Sequence, residues 1–508
     1  MSNPQDISKP KQELKVKVGP LNFLELDRVT PIKRTAKNRK IDFKEIYDIA
    51  KDVQLSNQAA RCLDCGNPYC EWKCPLHNYI PNWLDLVANE NYQQAGELMY
   101  ETNPLPEICG RICPQDRLCE QACTINTGFG AVTIGAIEKN VTDKLIAKQW
   151  RPNLSQVKQS NKKVAIVGAG PAGLACADQL ARNGIKVTVH DSYPEIGGLL
   201  TFGIPGFKLE KEVLVKRRKF LEDIGVQFKL NTMITDNNNG TSVQVDRIQS
   251  VSFTELNREY DSVFLAMGTY TSVQTDLARS DSKGVIKALD YLIGNINEIE
   301  KYEMKEFIYH NVKDKNVIVI GGGDTAMDCV RTAIRQGAKS VSCVYRRDEV
   351  SMPGSPSEVN NARDEGVNFL FNLSPASIET DNTVQVIGLR AFKTEQVIDT
   401  ETGKSKLHVD ETSELLLEAD IIITAFGFRA SPADWFENSN IKTKANGLIK
   451  TRALEDINGM NLFSQQTSNS KIFAGGDMVR GADLVVTAIA DGIKAANEII
   501  EQLTSNPP

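Results

Sequence analysis

The sequence predicts a multidomain protein in which a small α-helical N-terminal domain organised around metal precedes two α/β, Rossmann-like nucleotide-binding domains. Eight of the eleven cysteines fall between Cys62 and Cys123. Two short apolar runs, Val164-Ala165-Ile166-Val167 and Val317-Ile318-Val319-Ile320, each end in a glycine loop. A chain of 508 residues, 41% hydrophobic, fits about three domains at roughly 100–200 residues each.

A formal charge of −6 gives no broad basic field, although Lys33, Arg34, Lys37, Arg39 and Lys40 cluster, so nucleic acid is not an expected partner. The first forty residues lack an apolar signal core, and no stretch offers roughly 18 uninterrupted apolar residues, so the expectation is a cytoplasmic protein with no membrane contact. A reducing compartment favours metal ligation over disulfides for the clustered cysteines.

The first 155 residues read as the helical domain. Helical patterns such as Trp83 to Leu98 are separated by breaks at Pro75, Pro81, Pro104 and Pro106. Cys62, Cys65, Cys70 and Cys74 follow C-x2-C-x4-C-x3-C-P, and Cys109, Cys113, Cys119 and Cys123 follow C-x3-C-P-x4-C-x3-C. Eight thiolates suit two [4Fe-4S] clusters, and a proline after the last cysteine of a run accompanies ligation of the other cluster. Structural zinc or unligated buried thiols are the alternatives.

The polar stretch Arg151–Lys162 leads into the first nucleotide unit. Gly168-Ala169-Gly170-Pro171-Ala172-Gly173 follows a strand and opens a helix, Leu174–Asn183, whose N-terminus would face a pyrophosphate. Asp191 ends the next strand, Val187–Asp191, where a carboxylate accepts ribose hydroxyls and repels a 2′-phosphate. His190 beside it reads as packing.

Gly321-Gly322-Gly323-Asp324-Thr325-Ala326 repeats the arrangement, but the strand Val341–Tyr345 runs into Arg346-Arg347 where the first unit has its acid. Guanidinium forks suit a 2′-phosphate. The charge reversal assigns FAD to the first loop and NADPH to the second; a solvated strand end is the plainer reading of the two arginines. Strand-like segments at Val263–Ala266, Ile421–Ala425 and Ile472–Ala474 complete the pattern. The Asp236–Gly240 stretch reads as a polar turn. Glycine turns at Gly197-Gly198, Gly268 and Gly475-Gly476-Asp477 would bring backbone close to a flavin, and Ala482–Ile500 reads as a helix aimed at its pyrimidine edge; ordinary strand-end turns and a core helix stay open.

Together these residues resemble the small, or beta, subunits of bacterial NADPH-dependent glutamate synthases over nearly the whole chain. The stretches RCLDCGNPYCEWKCPLHNYIPNW, CGRICPQDRLCEQAC, GAGPAGLACAD, PEIGGLLTFGIPGFKLEK, GGGDTAMDCVRTAIRQGA, YRRDEVSMPGS and IFAGGDMVRGADLVVTAIADG carry the likeness. The resemblance implies that the NADPH domain (301–454) is inserted in the FAD domain (156–300 and 455–508). It implies a flavin site drawn from Gly168, Gly170, Pro171, Ala172, Gly173, Asp191, Gly198, Leu199, Gly268, Gly476, Asp477 and Thr487. The NADPH site would use Gly321, Gly323, Asp324, Thr325, Ala326, Arg346 and Arg347.

For the clusters, the crossing pattern and the relatives give Cys62, Cys65, Cys70 and Cys123 for one, with Cys74, Cys113, Cys119 and either Cys109 or Glu138 for the other. The resemblance implies NADPH oxidation through FAD and the clusters. It also implies a large, or alpha, partner subunit that makes L-glutamate from L-glutamine and 2-oxoglutarate. The chain starts Met1-Ser2-Asn3, without an N-terminal cysteine for glutaminase chemistry, so ammonia release is expected elsewhere. No protein acid or base is expected to act catalytically, since hydride passes between cofactors. The competing readings are the flavin subunit of a pyrimidine reductase or transhydrogenase, and a zinc-stapled scaffold that binds NADPH without turnover. A disulfide reductase is disfavoured because Cys176, Cys329 and Cys343 occur singly.

Overall fold

The computed structural model describes residues 17–236, 244–245, 248–273, 277–398, 405–452 and 464–505. Met1–Asn3, most of the Asp236–Gly240 turn and the 454/455 boundary lie outside them.

The N-terminal domain is helical, built on Asp52–Ala59, Ile80–Ala88, Tyr92–Thr102, Pro106–Ile112 and Ile134–Ala147. Trp83, Leu84, Val87, Ala95, Met99, Ile108, Ile137 and Val141 fill its core. Burying each large side chain contributes about 1.5–3 kcal/mol. The single helical pattern expected over Trp83–Leu98 is two helices, because Asn89-Glu90-Asn91 breaks it with Glu90 at φ 63°. Asparagine side chains compete with the helix ladder for backbone partners, so this break needs neither proline nor glycine. Arg61, sealed from solvent, donates to the carbonyls of Leu26, Phe129, Gly130 and Ala131 and so fastens two loops around the cysteines.

The first nucleotide unit is a five-stranded parallel sheet in the order Ile472–Ala474, Ser262–Leu265, Lys163–Val167, Lys186–His190, Gln227–Lys229. The second is another, in the order Asn368–Phe371, Ser340–Tyr345, Asn316–Ile320, Ile421–Thr424, Val285–Lys287. Strands buried on both faces read as continuous apolar runs, which is why both centres were visible in sequence. The second unit also carries an antiparallel sheet of Leu373–Thr380, Val386–Ile398 and Ser405–Glu418.

The insertion is present, with crossings displaced from those expected. Val285–Lys287 already pairs with Ile421–Thr424, so the chain enters the second sheet before residue 300. Trp435, Phe436, Ile441 and Ile449 pack with Phe253, Leu256 and Val263 of the first unit, so it has returned before residue 455. The helix Ala288–Glu300 spans both, with Tyr291 and Leu292 in the second core and Leu289 and Ile293 against Phe202.

Ion pairs lock the three parts together. Glu107 and Arg217 meet at 2.6 Å with both side chains fully buried, joining the helical domain to the helix Lys211–Asp223, and the guanidinium lies over Phe220. Arg39 reaches Asp364 and Glu365 of the second unit, whose Glu365 also takes Arg331 and Arg335. Arg34 is paired with Asp42. Two of the five residues in the N-terminal basic cluster are therefore engaged in ion pairs.

Candidate functional site: a shared cleft and two cysteine tetrads

One cleft of about 940 Å³ is bordered by all three parts of the chain. Its first wall is the loop after Lys163–Val167. Gly168 has φ 105°, and a Cβ there would lie 2.3 Å from the Ala266 carbonyl oxygen. At Gly173 a Cβ would lie 1.9 Å from the Gly168 carbonyl oxygen, so helix and strand approach only because it is glycine. Gly170 faces open space, which a phosphate can enter without meeting a side chain. The helix that follows runs Pro171–Arg182, starting three residues before the expected Leu174 because proline suits a first turn that needs no amide.

Asp191 stands at the end of the neighbouring strand. Its Oδ2 accepts the Ala169 amide at 2.6 Å and its Oδ1 accepts the Tyr193 amide at 2.8 Å. Burial pushes its carboxyl up to about 6. Each oxygen keeps a further lone pair for a hydroxyl donor. His190 is buried, edge-on to Tyr260 at 6.2 Å, with its imidazole pushed down to about 4 by burial and therefore neutral.

The facing wall is the turn Gly475-Gly476-Asp477, with Gly198, Leu199 and Gly268 also on the cleft. Asp477 opens a one-turn helix, and burial pushes its carboxyl up to about 6. Asp491 fixes this turn: it accepts the Gly476 amide at 2.9 Å and both Nε and Nη2 of Arg480, at 2.9 and 2.6 Å. This residue was missed in sequence, where it is one of several polar positions in Val485–Ile500. The last helix runs Val485–Ser505 instead of Ala482–Ile500. Val485, Val486 and Ala488 face the cleft, whereas the Thr487 hydroxyl turns back to Asp483 Oδ2 and the Leu484 carbonyl.

The second glycine loop reaches the same cleft through Asp324 and Thr325. Gly321 has φ 144°, and Gly323, like Gly170, faces open space. Ala326 lies in the first turn of the helix Asp324–Arg335. Arg346 and Arg347 are exposed beyond the strand Ser340–Tyr345; among the described residues neither is in a salt bridge, and Arg347 acts on the carboxylate of neighbouring Asp348 only through its charge. Their carbonyls are held instead, by the Thr394 hydroxyl and the Asn372 amide, which fixes the backbone and leaves the guanidinium forks open. Lys208 joins the two units beside the cleft, paired with Asp328 at 3.0 Å and Glu358 at 3.8 Å.

Cys62, Cys65, Cys70 and Cys123 line one small cavity, bringing the fourth residue from the other sequence tetrad. Cys74, Cys109, Cys113 and Cys119 make up the second group by proximity, with Cys109 beside Cys113, and Cys74 within electrostatic reach of Cys109 and Cys119; among the described residues no three Cys, His, Asp or Glu side chains are drawn together as a metal site. Burial pushes the thiol of Cys62 up to about 11, Cys70 to about 12 and Cys74 to about 11 and also raises that of Cys119, while contact with Cys109, together with burial, raises that of Cys113. Packed thiols of this kind ionise only against a positive charge, the condition that ligation of iron supplies. Cys113 borders the large cleft. Glu138 is buried beside the second group, and its Oε1 accepts from Asn78 at 3.3 Å and Asn103 at 3.1 Å. Asn103 Oδ1 also takes the Cys109 thiol at 3.8 Å.

Residues 39–150 match the family described as dihydropyrimidine dehydrogenase domain II, 4Fe-4S cluster, and residues 162–492 match pyridine nucleotide-disulphide oxidoreductase. Among solved structures, Mycobacterium tuberculosis FprA in complex with NADPH shares the fold of the nucleotide units, with TM-score 0.53 and 16% identity over 68% of this chain and 85% of that one. The putative oxidoreductase AegA of Escherichia coli K12 is 48% identical over 94% of this chain and 70% of its own length. The glutamate synthase [NADPH] small chain of the same organism is 52% identical over 95% of this chain and 98% of its own length. The chain belongs to the family of NADPH glutamate synthase small chains.

Proposed function

We propose that this chain is the electron-input subunit of a cytoplasmic glutamate synthase. It oxidises NADPH through FAD and passes electrons through two [4Fe-4S] clusters to a large subunit that forms L-glutamate from L-glutamine and 2-oxoglutarate. The observation that carries this reading is the single cleft shared by both glycine loops and Cys113. Among the described residues, no helix is long and apolar enough to cross a membrane.

A bound flavin would supply the conversion between a two-electron hydride donor and one-electron clusters. The protein's part is placement. Gly168, Gly170 and Gly173 with the amides of Pro171–Arg182 receive the FAD pyrophosphate, and Asp191 takes its ribose hydroxyls. Asp477 faces the ribitol, and the amides at the start of Val485–Ser505 face the flavin's pyrimidine edge. Thr487 supports this turn through Asp483. Gly321, Gly323 and the first turn Asp324-Thr325-Ala326 hold the NADPH pyrophosphate, and Arg346 and Arg347 take its 2′-phosphate. Cys62, Cys65, Cys70 and Cys123 hold one cluster; Cys74, Cys109, Cys113 and Cys119 hold the other, nearer the flavin.

The test is anaerobic purification of the chain with metal and flavin analysis. Eight irons, one flavin, and bleaching of flavin absorbance by NADPH are expected, with co-purification of the large subunit from cells expressing both. Zinc without iron, or a flavin that NADPH leaves oxidised, defeats the reading.

A further inference from the structure

The short segment between Cys113 and Cys119 does more than space two thiols. From it, Arg117 Nη1 donates to the Pro353 carbonyl at 2.5 Å and Nη2 donates to the Gly354 carbonyl, while Asp116 Oδ2 accepts the Ser355 hydroxyl at 3.0 Å. These partners lie more than 230 positions away in sequence, separations of 236, 237 and 239 residues. Residues 353–355 in turn sit on the second glycine loop. The Gly354 amide donates to the Gly322 carbonyl at 2.8 Å, and the Ser355 amide donates to Asp324 Oδ1 at 2.9 Å. Gly354 and Ser355 are buried under this contact, and Asp116, Asp324 and Ser355 all border the shared cleft.

We propose that this clamp couples the second cluster to the nucleotide: what sits on the loop Gly321–Asp324 alters, through residues 353–355 and Arg117, the segment holding Cys113 and Cys119. The inference rests on the proposed cluster and NADPH sites. Its physical basis is that a dinucleotide pyrophosphate must settle on the amides of Gly322 to Asp324, whose carbonyl and carboxylate neighbours are the groups that Gly354 and Ser355 hold. Arg117 brings a permanent positive charge to the same place, between an anionic ligand and the segment that would hold a cluster whose net charge becomes one unit more negative on reduction. Coupling of this kind is reciprocal, so cluster reduction must change nucleotide affinity by the same factor that nucleotide changes reduction. Arg117 is thus a positioning residue, acting through the loop.

The test uses the full chain with its flavin and clusters, and 2′-phospho-ADP-ribose, which keeps the pyrophosphate and 2′-phosphate but has no nicotinamide to react. In the wild-type protein this probe is expected to change the electron paramagnetic resonance signal of one reduced cluster. It is also expected to bind with affinities that differ on the order of fivefold between oxidised and dithionite-reduced protein. Arg117→Ala and, independently, Ser355→Ala should keep their iron and flavin yet bring the affinity ratio to one and leave the resonance signal unmoved. Equal wild-type affinities in both states, or variants that keep the wild-type ratio and signal change, overturn the coupling alone. Absence of iron or of probe binding overturns the underlying site assignment and the coupling with it.

Discussion

Asp491 holds Gly476: the carboxylate of the last helix accepts the glycine amide at 2.9 Å and is held in turn by the Arg480 fork. The turn that faces the flavin cleft is therefore set by a residue fifteen positions downstream. Asp491→Ala leaves that amide without its acceptor and Arg480 with Asp483 alone, at 3.5 Å. It should lower flavin affinity about tenfold or more and stability by roughly 1–3 kcal/mol. Flavin per chain after dialysis and urea unfolding measure the two; full flavin retention would show that the turn is set elsewhere.

Arg217 and Glu107 are paired without access to water. Glu107→Ala strands a buried guanidinium, and a loss of about 3–5 kcal/mol is expected in chemical denaturation. A change below 1 kcal/mol would mean that water reaches the site.

Asp191 and Asp477 both have carboxyls pushed up to about 6, chiefly by burial. An unfolded aspartate ionises near ~3.9, so these groups favour the protonated form in the folded, flavin-free protein. Their contribution to stability is full below pH ~4 and is lost as pH rises through about 6. Ribose and ribitol hydroxyls donate to carboxylates, so flavin affinity should rise between pH 5 and 7. Fluorescence titration of flavin binding should show this slope reduced in Asp191→Asn and in Asp477→Asn, and flat in the double variant; an unchanged slope in the double variant refutes it.

The proposed 2′-phosphate site makes Arg346 and Arg347 jointly responsible for the nucleotide preference. Replacing both with glutamine removes charge-assisted hydrogen bonds worth about 1.5–3 kcal/mol each, so the ratio of kcat/KM for NADPH over NADH in dye reduction should fall at least tenfold. Persistence of the wild-type ratio would return the pair to a solvated strand end.

Cys109→Ser should remove one cluster and leave about four irons, since a [4Fe-4S] cluster needs four ligands. Glu138→Gln keeps a carbonyl acceptor for Asn78 and Asn103 and should retain eight irons. The reverse pattern would make Glu138 the ligand.

Both parallel sheets were legible because their central strands are short apolar runs that stop at glycine, and Gly168 and Gly173 are demanded by backbone contacts that no other residue permits. Cys123 lines one cavity with Cys62, Cys65 and Cys70, the grouping expected from the crossing pattern and the relatives. Long-range relations were not. Nothing local marks Asp491 as the partner of Gly476, or Arg117 as the partner of Pro353, because each pairing depends on how separate units dock. The unit crossings were misplaced for the same reason: Val285–Lys287 joins the second sheet as an edge strand of only three residues, too short to show a period. Thr487 was assigned to the flavin site through the family resemblance; its hydroxyl donates to the Leu484 carbonyl one turn back, a contact that helix position alone does not announce.

The arrangement of the first cavity also bears on how the chain is made. Three of its thiols lie within nine residues, Cys62 to Cys70, but the fourth is Cys123, so the ring stays open until synthesis has passed that residue. By then every cysteine of the second group has already been incorporated into the chain. On the proposed ligand sets, neither metal site can mature much ahead of the other, and a nascent chain arrested before Cys123 presents reactive thiols with no complete place to put iron.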